Sequence, residues 1–251
     1  MKTALITGAS SGIGEATARS LVTLDYQLIL CGRNRAALDS LKEELKVHTS
    51  CICLCFDVRD ADQVKEQISS LPETFAQIDL LINNAGNAHG LGKIQEGDIS
   101  DWDAMMDINV KGLLYVSKSI IPGMVERNSG HIINIGSLAG KEVYANGTVY
   151  CASKHAVDAI TEGMRKDLHG YKIKVGAVHP GLVETNFSAV RFKGDLDKAS
   201  TVYKGYDALQ ATDIAEIIAF VVTRPSHVNI ADLLVLPSAQ ASSTLVDKTD
   251  A

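Results

Sequence analysis

The stretch Lys2-Thr3-Ala4-Leu5-Ile6-Thr7-Gly8-Ala9-Ser10-Ser11-Gly12-Ile13-Gly14 decides the fold. An apolar run leads into a glycine turn, after which apolar residues recur at helical spacing through residue 24. A strand, a glycine turn and a helix in this order let backbone amides and the positive helix end approach a pyrophosphate. Three residues separate the first two glycines, instead of the one in the usual dinucleotide fingerprint. We expect the turn to contribute to a dinucleotide site through Gly8, Ser10, Ser11, Gly12, Ile13 and Gly14.

The rest of the chain alternates predicted strands and helices. Further strands are expected at 27–31, 51–56, 78–82, 131–136, 172–178 and 232–236. Helices are expected at 35–47, 61–71, 100–127 with a kink or an end near Pro122, from about 150 to 169, and at 212–223. The pattern predicts an α/β protein, a single Rossmann-like domain over 1–251 with a doubly wound, seven-stranded parallel sheet covered by helices on both faces. We expect an irregular substrate lid at about 184–210 and a frayed tail at about 241–251.

Composition and charge narrow the classes of partner. The 251 residues carry a formal net charge of -6 without runs of like charge, which argues against nucleic acid and anionic membranes and favours a small-molecule partner. The apolar runs are too short to span a membrane, and strand-like sequence from residue 2 leaves no room for a secretory leader, so we expect a cytoplasmic protein. Cys51, Cys53 and Cys55 alternate on one face of a strand, and we expect no metal site there.

The end of the second predicted strand indicates the cofactor. An NAD-binding protein would offer a carboxylate to the ribose hydroxyls there, but this chain has Gly32 and then Arg33, with no carboxylate until Asp39. An arginine at this place can receive a 2'-phosphate, so NADP(H) is favoured over NAD(H). Arg35 is a second candidate contact, and the alternative role for Arg33 is that of a solvated loop residue.

Polar and small residues follow the next two strands at the edge where open α/β sheets bind ligands. Candidate cofactor contacts here are Asp57, Val58, Asn84, Ala85 and Gly86. Asp57 could accept a hydrogen bond from an adenine amine, and loop or helix capping is the alternative role.

Tyr150 and Lys154 are four residues apart, so both head groups lie on one face of a predicted helix. A nearby positive charge lowers the pKa of a phenol, which makes Tyr150 a candidate general acid and base. Alone the pair is weak evidence, because a packed ring beside a solvated amine is the commoner arrangement. Ser137 stands directly after the fifth predicted strand, at 131–136, where it could also cap a turn. Asn109 in an apolar helix indicates a buried polar contact.

The chain resembles the short-chain dehydrogenase/reductase family over essentially its whole length. The resemblance is carried by the turn Thr7 to Gly14, the run Asn83 to Gly86, Asn109, Ser137, Tyr150 with Lys154, and Pro180 and Gly181 with Thr185. The resemblance implies an oxidoreductase in which Tyr150 gives or takes the proton while Lys154 acts as its electrostatic partner and ribose ligand. It further implies that Ser137 orients the substrate oxygen and Asn109 holds a relay water. Val183 and Thr185 would meet the nicotinamide amide, and the long helices that carry Asn109 and Tyr150 would assemble a homotetramer.

A narrower resemblance concerns the substrate. The chain is similar to the NADP-dependent 3-hydroxy acid dehydrogenases, whose substrates include serine, L-allo-threonine, 3-hydroxypropionate and 3-hydroxyisobutyrate types. The residues that carry this similarity are Gly181 to Glu184, Phe187, Arg191, Phe192, Lys193, Gly194 and Asp195, with an ending near Pro237, Gln240 and Ala241. A carboxylate needs a cationic partner when buried, and Arg191 on the lid is the candidate anchor beside Ser137 and Tyr150. The alternatives are a reductase of 3-oxoacyl thioesters or general carbonyls, and a non-catalytic NADP-binding sensor or scaffold. The presence of both Tyr150 and Lys154 counts against the last of these.

Overall fold

The computed structural model describes residues 1–248, which form a seven-stranded parallel sheet in the order β3-β2-β1-β4-β5-β6-β9. The strands of the chain are β1 (Lys2–Thr7), β2 (Tyr26–Gly32), β3 (Cys51–Cys55), β4 (Leu80–Asn83), β5 (Gly130–Ile135), β6 (Ile173–Pro180), β7 (Val183–Glu184), β8 (Leu209–Gln210) and β9 (Asp232–Val235). The strand order reverses between β1 and β4, which opens a crevice at their carboxyl ends. The predicted doubly wound α/β sheet is confirmed.

Helices cover both faces of this sheet. They are α1 (Gly12–Val22), α2 (Arg35–Leu45), α3 (Ala61–Ser69), α4 (Glu73–Ala76), α5 (Ile99–Met106), α6 (Leu113–Glu126), α7 (Thr148–Asp167), α8 (Phe187–Arg191), α9 (Leu196–Thr201) and α10 (Ala211–Val222). One apolar core joins the sheet to α1, α2 and α10, through residues such as Leu21, Leu38 and Ile218. A second core lies on the opposite face, where Val64 of α3 and Val116 of α6 are fully buried.

The long helical region is interrupted at a place that the sequence analysis did not predict. A π-helical segment, Asp107–Gly112, joins α5 to α6 and contains the buried Asn109. The helix α6 continues through Pro122 instead of ending there. Single-turn π segments often occur at functional sites, and this one directs Asn109 toward the carboxyl end of the sheet.

The predicted irregular lid at 184–210 contains four short regular elements. The two-residue strands β7 and β8 pair in parallel, and the short helices α8 and α9 lie between them in the chain. Elements of two to six residues are too short to produce a periodic apolar pattern, which is why this segment reads as a loop.

The prediction of a frayed tail is wrong for residues 241–248. Gln240 and Val246 form an antiparallel bridge, and the Ala241 N–H donates to the Leu245 carbonyl at 2.9 Å. The small, polar residues of this segment gave no strand pattern, yet they form a hairpin in which backbone N–H groups of the turn bond backbone carbonyls of the same turn. Residues 249–251 of the predicted tail lie outside the described residues. Within the described part, the helices are all too short or too polar to cross a membrane.

Candidate active site

A cavity of about 600 Å³ opens at the carboxyl ends of the parallel strands. Its lining brings together most of the residues selected from the sequence, namely Gly8, Ser10, Ser11, Gly12, Ile13, Arg33, Asp57, Val58, Asn84, Ala85, Gly86, Ser137, Tyr150, Lys154, Pro180, Gly181, Val183, Thr185 and Arg191. Three selected residues, Gly14, Arg35 and Asn109, are not part of the lining. The cavity therefore joins the predicted cofactor and catalytic residues in one space.

The glycine turn has the shape that a pyrophosphate site requires. Gly8 and Gly12 have φ angles of 65° and 55°, a region in which glycine is favoured. A Cβ atom on Gly8 would lie 2.8 Å from Nδ2 of Asn84, whose amide donates to the carbonyl of Thr7 at 2.9 Å. A Cβ on Gly14 would lie 2.4 Å from the Gly8 carbonyl oxygen, so Gly14 permits close packing of helix against turn and lies behind the cavity. The turn and the first amides of α1 form a cradle that fits a dinucleotide pyrophosphate.

Arg33 lies at the cavity with its side chain 61% exposed, and its Nη1 is 3.8 Å from Oδ2 of Asp57. Arg59, which the sequence analysis missed, makes the closer ion pair with Asp57 at 2.7 Å. Burial opposes ionisation of Asp57, but hydrogen bonds from Arg59 outweigh it and lower the pKa of the carboxyl. Arg35 instead bonds Asp39 at 2.9 Å and does not line the cavity. Of the two arginines beside Asp57, Arg33 therefore has the weaker ion pair, and its role as the 2'-phosphate ligand stays a prediction.

Asn109 organises the loop after β4. Its Oδ1 accepts from the Asn87 N–H at 2.8 Å, and its Nδ2 donates to the Asn87 carbonyl at 2.8 Å and to Ser153 Oγ at 3.0 Å. These bonds tie the π segment to the loop and to α7. The buried polar contact expected of Asn109 is confirmed, whereas its part in holding a relay water stays a prediction.

Tyr150 and Lys154 lie on the same face of α7, and both are nearly fully buried. Burial raises the pKa of the Tyr150 phenol, and Arg191 together with a hydrogen bond to Ser137 opposes that rise. Burial also lowers the pKa of Lys154 to about 8, while its Nζ donates to the Ile135 carbonyl at 2.9 Å. The sequence argument expected Lys154 to lower the pKa of Tyr150. In the structure the desolvation of both groups dominates, and the opposing charge comes chiefly from Arg191.

Arg191 reaches from α8 to the aromatic wall beside Tyr150. Its guanidinium carbon lies 4.8 Å from the centroid of the Tyr150 ring and 5.2 Å from that of Phe187. Its Nη2 donates to the Tyr144 hydroxyl at 2.8 Å, whereas its Nε is buried without a protein partner. The structure therefore contains a partly buried cation with an unused buried donor, Nε, close to the phenol ring. Tyr144 was missed because no motif or spacing connects it with the lid.

The segment after β6 completes the cavity. A Cβ on Gly12 would lie 3.3 Å from Cγ2 of Thr185, so the bare glycine lets the Thr185 side chain approach the turn. Thr185 Oγ1 accepts from the Phe187 N–H at 3.2 Å, and the Val183 carbonyl accepts from the Tyr203 hydroxyl at 2.9 Å. These bonds join the predicted nicotinamide contacts to the lid.

Among residues 1–248, one further group of ligand-type side chains lies outside this cavity. Asp158, His179 and Asp232 bring their ligand atoms within 4.8 Å of one another. The Lys141 ammonium already occupies the group, since its Nζ is 2.8 Å from Oδ1 of Asp158 and also bonds Asp232. The lysine supplies the positive charge that the two carboxylates require.

The sequence pattern that defines the family described as short chain dehydrogenase matches residues 2–195. This chain belongs to the short-chain dehydrogenase family. The family assignment agrees with the cavity, in which Ser137, Tyr150 and Lys154 meet beside a glycine turn. As a member of this family, the chain is an oxidoreductase.

Full-length similarities to individual proteins support this assignment. The chain is 44% identical over 242 residues to an NADP-dependent 3-hydroxy acid dehydrogenase of Salmonella typhi, covering 96% of this chain and 97% of that protein. It is 42% identical to sulfoacetaldehyde reductase 2 of Chromohalobacter salexigens, covering 97% and 98% of the two chains. The closed form of serine dehydrogenase complexed with NADP+ matches this short-chain dehydrogenase with a TM-score of 0.93 and 42% identity, over 99% of this chain and 100% of that one.

Proposed function

We propose that this short-chain dehydrogenase transfers a hydride between NADP(H) and a small 3-hydroxy acid, with Tyr150 as the general acid and base. The observation that carries the proposal is the Arg191 guanidinium, which lies 4.8 Å from the Tyr150 ring and has a buried Nε without a protein partner. An unpaired buried donor on a cation calls for an anionic acceptor. Similarity to a 3-hydroxy acid dehydrogenase and a serine dehydrogenase supports the same substrate class.

The cofactor is NADP(H), and the cavity fits it. The glycine turn provides a cradle in which a Cβ on Gly8 would collide with Asn84, and Arg33 provides a cation for the 2'-phosphate. Lys154 would bind the ribose, while Val183 and Thr185 would bind the nicotinamide amide. When bound, the nicotinamide accepts or supplies the hydride.

The protein provides the proton. In the oxidation direction the Tyr150 oxygen, as phenolate, takes the proton of the substrate alcohol, and in reduction the phenol returns it to the carbonyl oxygen. Ser137, which lines the same cavity as Tyr150, orients the reacting oxygen. Because the phenol and Lys154 are both buried, water is largely kept from the proton-transfer site. Assembly as a homotetramer stays a prediction.

The distance between Arg191 and Tyr150 limits the length of the substrate. A guanidinium carbon at 4.8 Å from the phenol ring can hold a carboxylate only if the carboxylate is close to the carbon bearing the hydroxyl. A 3-hydroxy acid has one carbon between these two groups, which matches this short span. A long acyl thioester would have no carboxylate to offer Arg191.

A small 2-hydroxyalkanesulfonate is the second candidate substrate. A sulfonate also presents anionic oxygens one methylene from the hydroxyl carbon, and guanidinium N–H groups bond sulfonate oxygens as they do carboxylate oxygens. Similarity to a sulfoacetaldehyde reductase favours this candidate. The oxidation of 2-hydroxyethanesulfonate should therefore be measured beside that of the 3-hydroxy acids.

The test is a panel of serine, L-allo-threonine, 3-hydroxypropionate, 3-hydroxyisobutyrate, 2-hydroxyethanesulfonate and an uncharged alcohol, assayed with NADP by nicotinamide absorbance. Arg191→Ala should lose at least about tenfold more kcat/KM on the anions than on the alcohol, because a charge-assisted bond contributes about 1.5–3 kcal/mol. Lys193→Ala is the matched control, since the Lys193 ammonium pairs with Asp101 at 2.9 Å. An equal loss on anions and alcohol would refute the anchor.

Tyr150→Phe tests the chemistry separately. It should lower turnover by about a hundredfold or more while leaving NADPH binding, measured by fluorescence, within about twofold of the unmodified chain. Retained turnover in this variant would refute Tyr150 as the proton donor and acceptor.

A further inference from the structure

Gln240 is a buried polar residue in the cavity wall that no part of the proposed reaction uses. Its side chain lies in the C-terminal hairpin, it is only 5% exposed, and it borders the cavity together with Ser243. Its Oε1 accepts from the Leu182 N–H at 2.9 Å, and its Nε2 donates to the Ser242 carbonyl at 3.2 Å. Both ends of the carboxamide are therefore engaged, one with the hairpin and one with the turn after β6.

The turn that receives Gln240 leads directly to the nicotinamide contacts. Gly181 and Leu182 connect β6 to β7, and Val183 and Thr185 follow. A Cβ on Gly181 would lie 2.3 Å from Oε1 of Gln240, so this carboxamide reaches the turn only because residue 181 lacks a side chain. The position of the turn and the position of the carboxamide are thus mutually dependent.

Both N–H groups of this turn are bound by the C-terminal part of the chain. The Gly181 N–H donates to the Val235 carbonyl at 2.8 Å, and the Leu182 N–H donates to Gln240. The first bond is part of the sheet and fixes the end of β6. The second is a bond to a side chain, and it fixes the direction in which the chain leaves the sheet.

The hairpin that carries Gln240 is itself held in place. The Gln240 N–H donates to the Pro237 carbonyl at 2.9 Å, and the Asp247 N–H donates to the Ala239 carbonyl at 2.8 Å. The Ser243 N–H donates to Oε2 of Glu142 at 2.8 Å, a bond to the segment that follows Ser137. A side chain mounted on a fixed hairpin can hold a turn in one place.

We propose that Gln240 is a positioning residue for the nicotinamide end of the cofactor site, acting through its hydrogen bond to Leu182. The inference rests on the proposed use of NADP(H). The carboxamide holds the Gly181–Leu182 turn so that Val183 and Thr185 face the cavity. At the opposite end of the site, the Gln240 side chain makes no hydrogen bond to Arg33, since its bonds go to Leu182 and Ser242.

The experiment compares NADPH, which occupies both ends of the cofactor site, with a ligand that lacks the nicotinamide. Gln240→Met keeps the length and much of the volume of the side chain but removes the acceptor, and Gln240→Asn keeps the amide but shortens it by one methylene. We expect each variant to raise the Kd of NADPH about three- to tenfold, because one hydrogen bond to a partly buried N–H is lost. The Kd of adenosine 2',5'-bisphosphate, which lacks the nicotinamide, should stay within about twofold. Fluorescence titration and calorimetry measure these two constants without turnover.

Leu245→Ala is the control in the same hairpin, because the Leu245 side chain is mostly exposed and the backbone supplies its hairpin bonds. It should leave both constants unchanged. The proposal would be overturned if Gln240→Met and Gln240→Asn raised the Kd of NADPH and the Kd of adenosine 2',5'-bisphosphate by the same factor. Unchanged NADPH binding in both variants would also overturn it. If the unmodified chain binds NADPH but oxidises none of the panel acids, the proposed substrate fails while the test of Gln240 still stands.

Discussion

Replacing Arg33 by alanine tests how this protein selects its cofactor. The Arg33 guanidinium is 3.8 Å from the Asp57 carboxylate, whereas Arg59 bonds the same carboxylate at 2.7 Å. Because Arg59 already compensates the charge of Asp57, the charge of Arg33 is available to a 2'-phosphate. Arg33→Ala should therefore weaken the binding of NADPH and leave the binding of NADH almost unchanged.

The magnitude follows from one charge-assisted contact. Hydrogen bonds to charged groups contribute about 1.5–3 kcal/mol, which corresponds to a factor of about 10 to 150 in affinity. The Arg33 side chain is more than half exposed, so solvent screening places the expected loss at the lower end, about tenfold to thirtyfold. The assay is fluorescence titration with NADPH and with NADH at low and high salt, and the loss for NADPH should shrink as salt rises.

Arg35→Ala is the matched control, because Arg35 lies two residues further on and pairs with Asp39. It should change the ratio of NADPH to NADH affinity by less than about twofold. If Arg33→Ala also leaves that ratio within twofold, or if it weakens both cofactors equally, the role given to Arg33 is wrong.

Two other predictions concern stability and the anchor. Burial lowers the pKa of His131 to about 3 from 6.5, so the unfolded chain binds the proton more strongly between these values and stability falls as the pH falls below about 6.5. At pH 5 the lowered pKa reduces the free energy of unfolding by about 2 kcal/mol. His131→Gln should therefore reduce the difference between the free energies of urea unfolding at pH 7.5 and at pH 5. An unchanged difference would contradict the role given to His131. Tyr144→Phe removes the acceptor of Arg191 Nη2, and it should raise KM for 3-hydroxy acids severalfold without changing kcat/KM for an uncharged alcohol. Equal effects on both substrates would contradict that role for Tyr144.

The sheet could be predicted because each of its units repeats one local signal. The run from Lys2 to Gly14 combines an apolar strand, glycines and a helix start, and the same alternation continues to β9. The lid and the C-terminal hairpin lack that signal. Their short elements are fixed by contacts distant in sequence, such as the bond from Gln240 to Leu182, 58 residues apart. Propensity and periodicity contain no information about such contacts.

Sequence motifs identified the residues of the site but not the contacts that each residue makes. Gly14 and Asn109 were selected with the right motifs, yet both act behind the cavity, where one permits close packing and the other binds the loop at Asn87. A motif identifies the residue type that a position requires. Whether that residue contacts the ligand or supports one that does depends on its burial in the folded chain.

The cation closest to the Tyr150 ring could not be predicted from helical spacing. Helical spacing identifies Lys154 as the neighbouring cation, because it considers only residues on the same helix. The fold buries this ammonium, bonds it to the Ile135 carbonyl and lowers its pKa to about 8. It also brings Arg191, 41 residues along the chain, over the phenol ring with one donor unused. A guanidinium keeps its charge when buried, whereas a buried ammonium loses its proton more readily. In the proposed reaction, proton transfer at Tyr150 and recognition of an anionic substrate would therefore depend on the same cation, which lies on α8 and not on the helix that carries Tyr150.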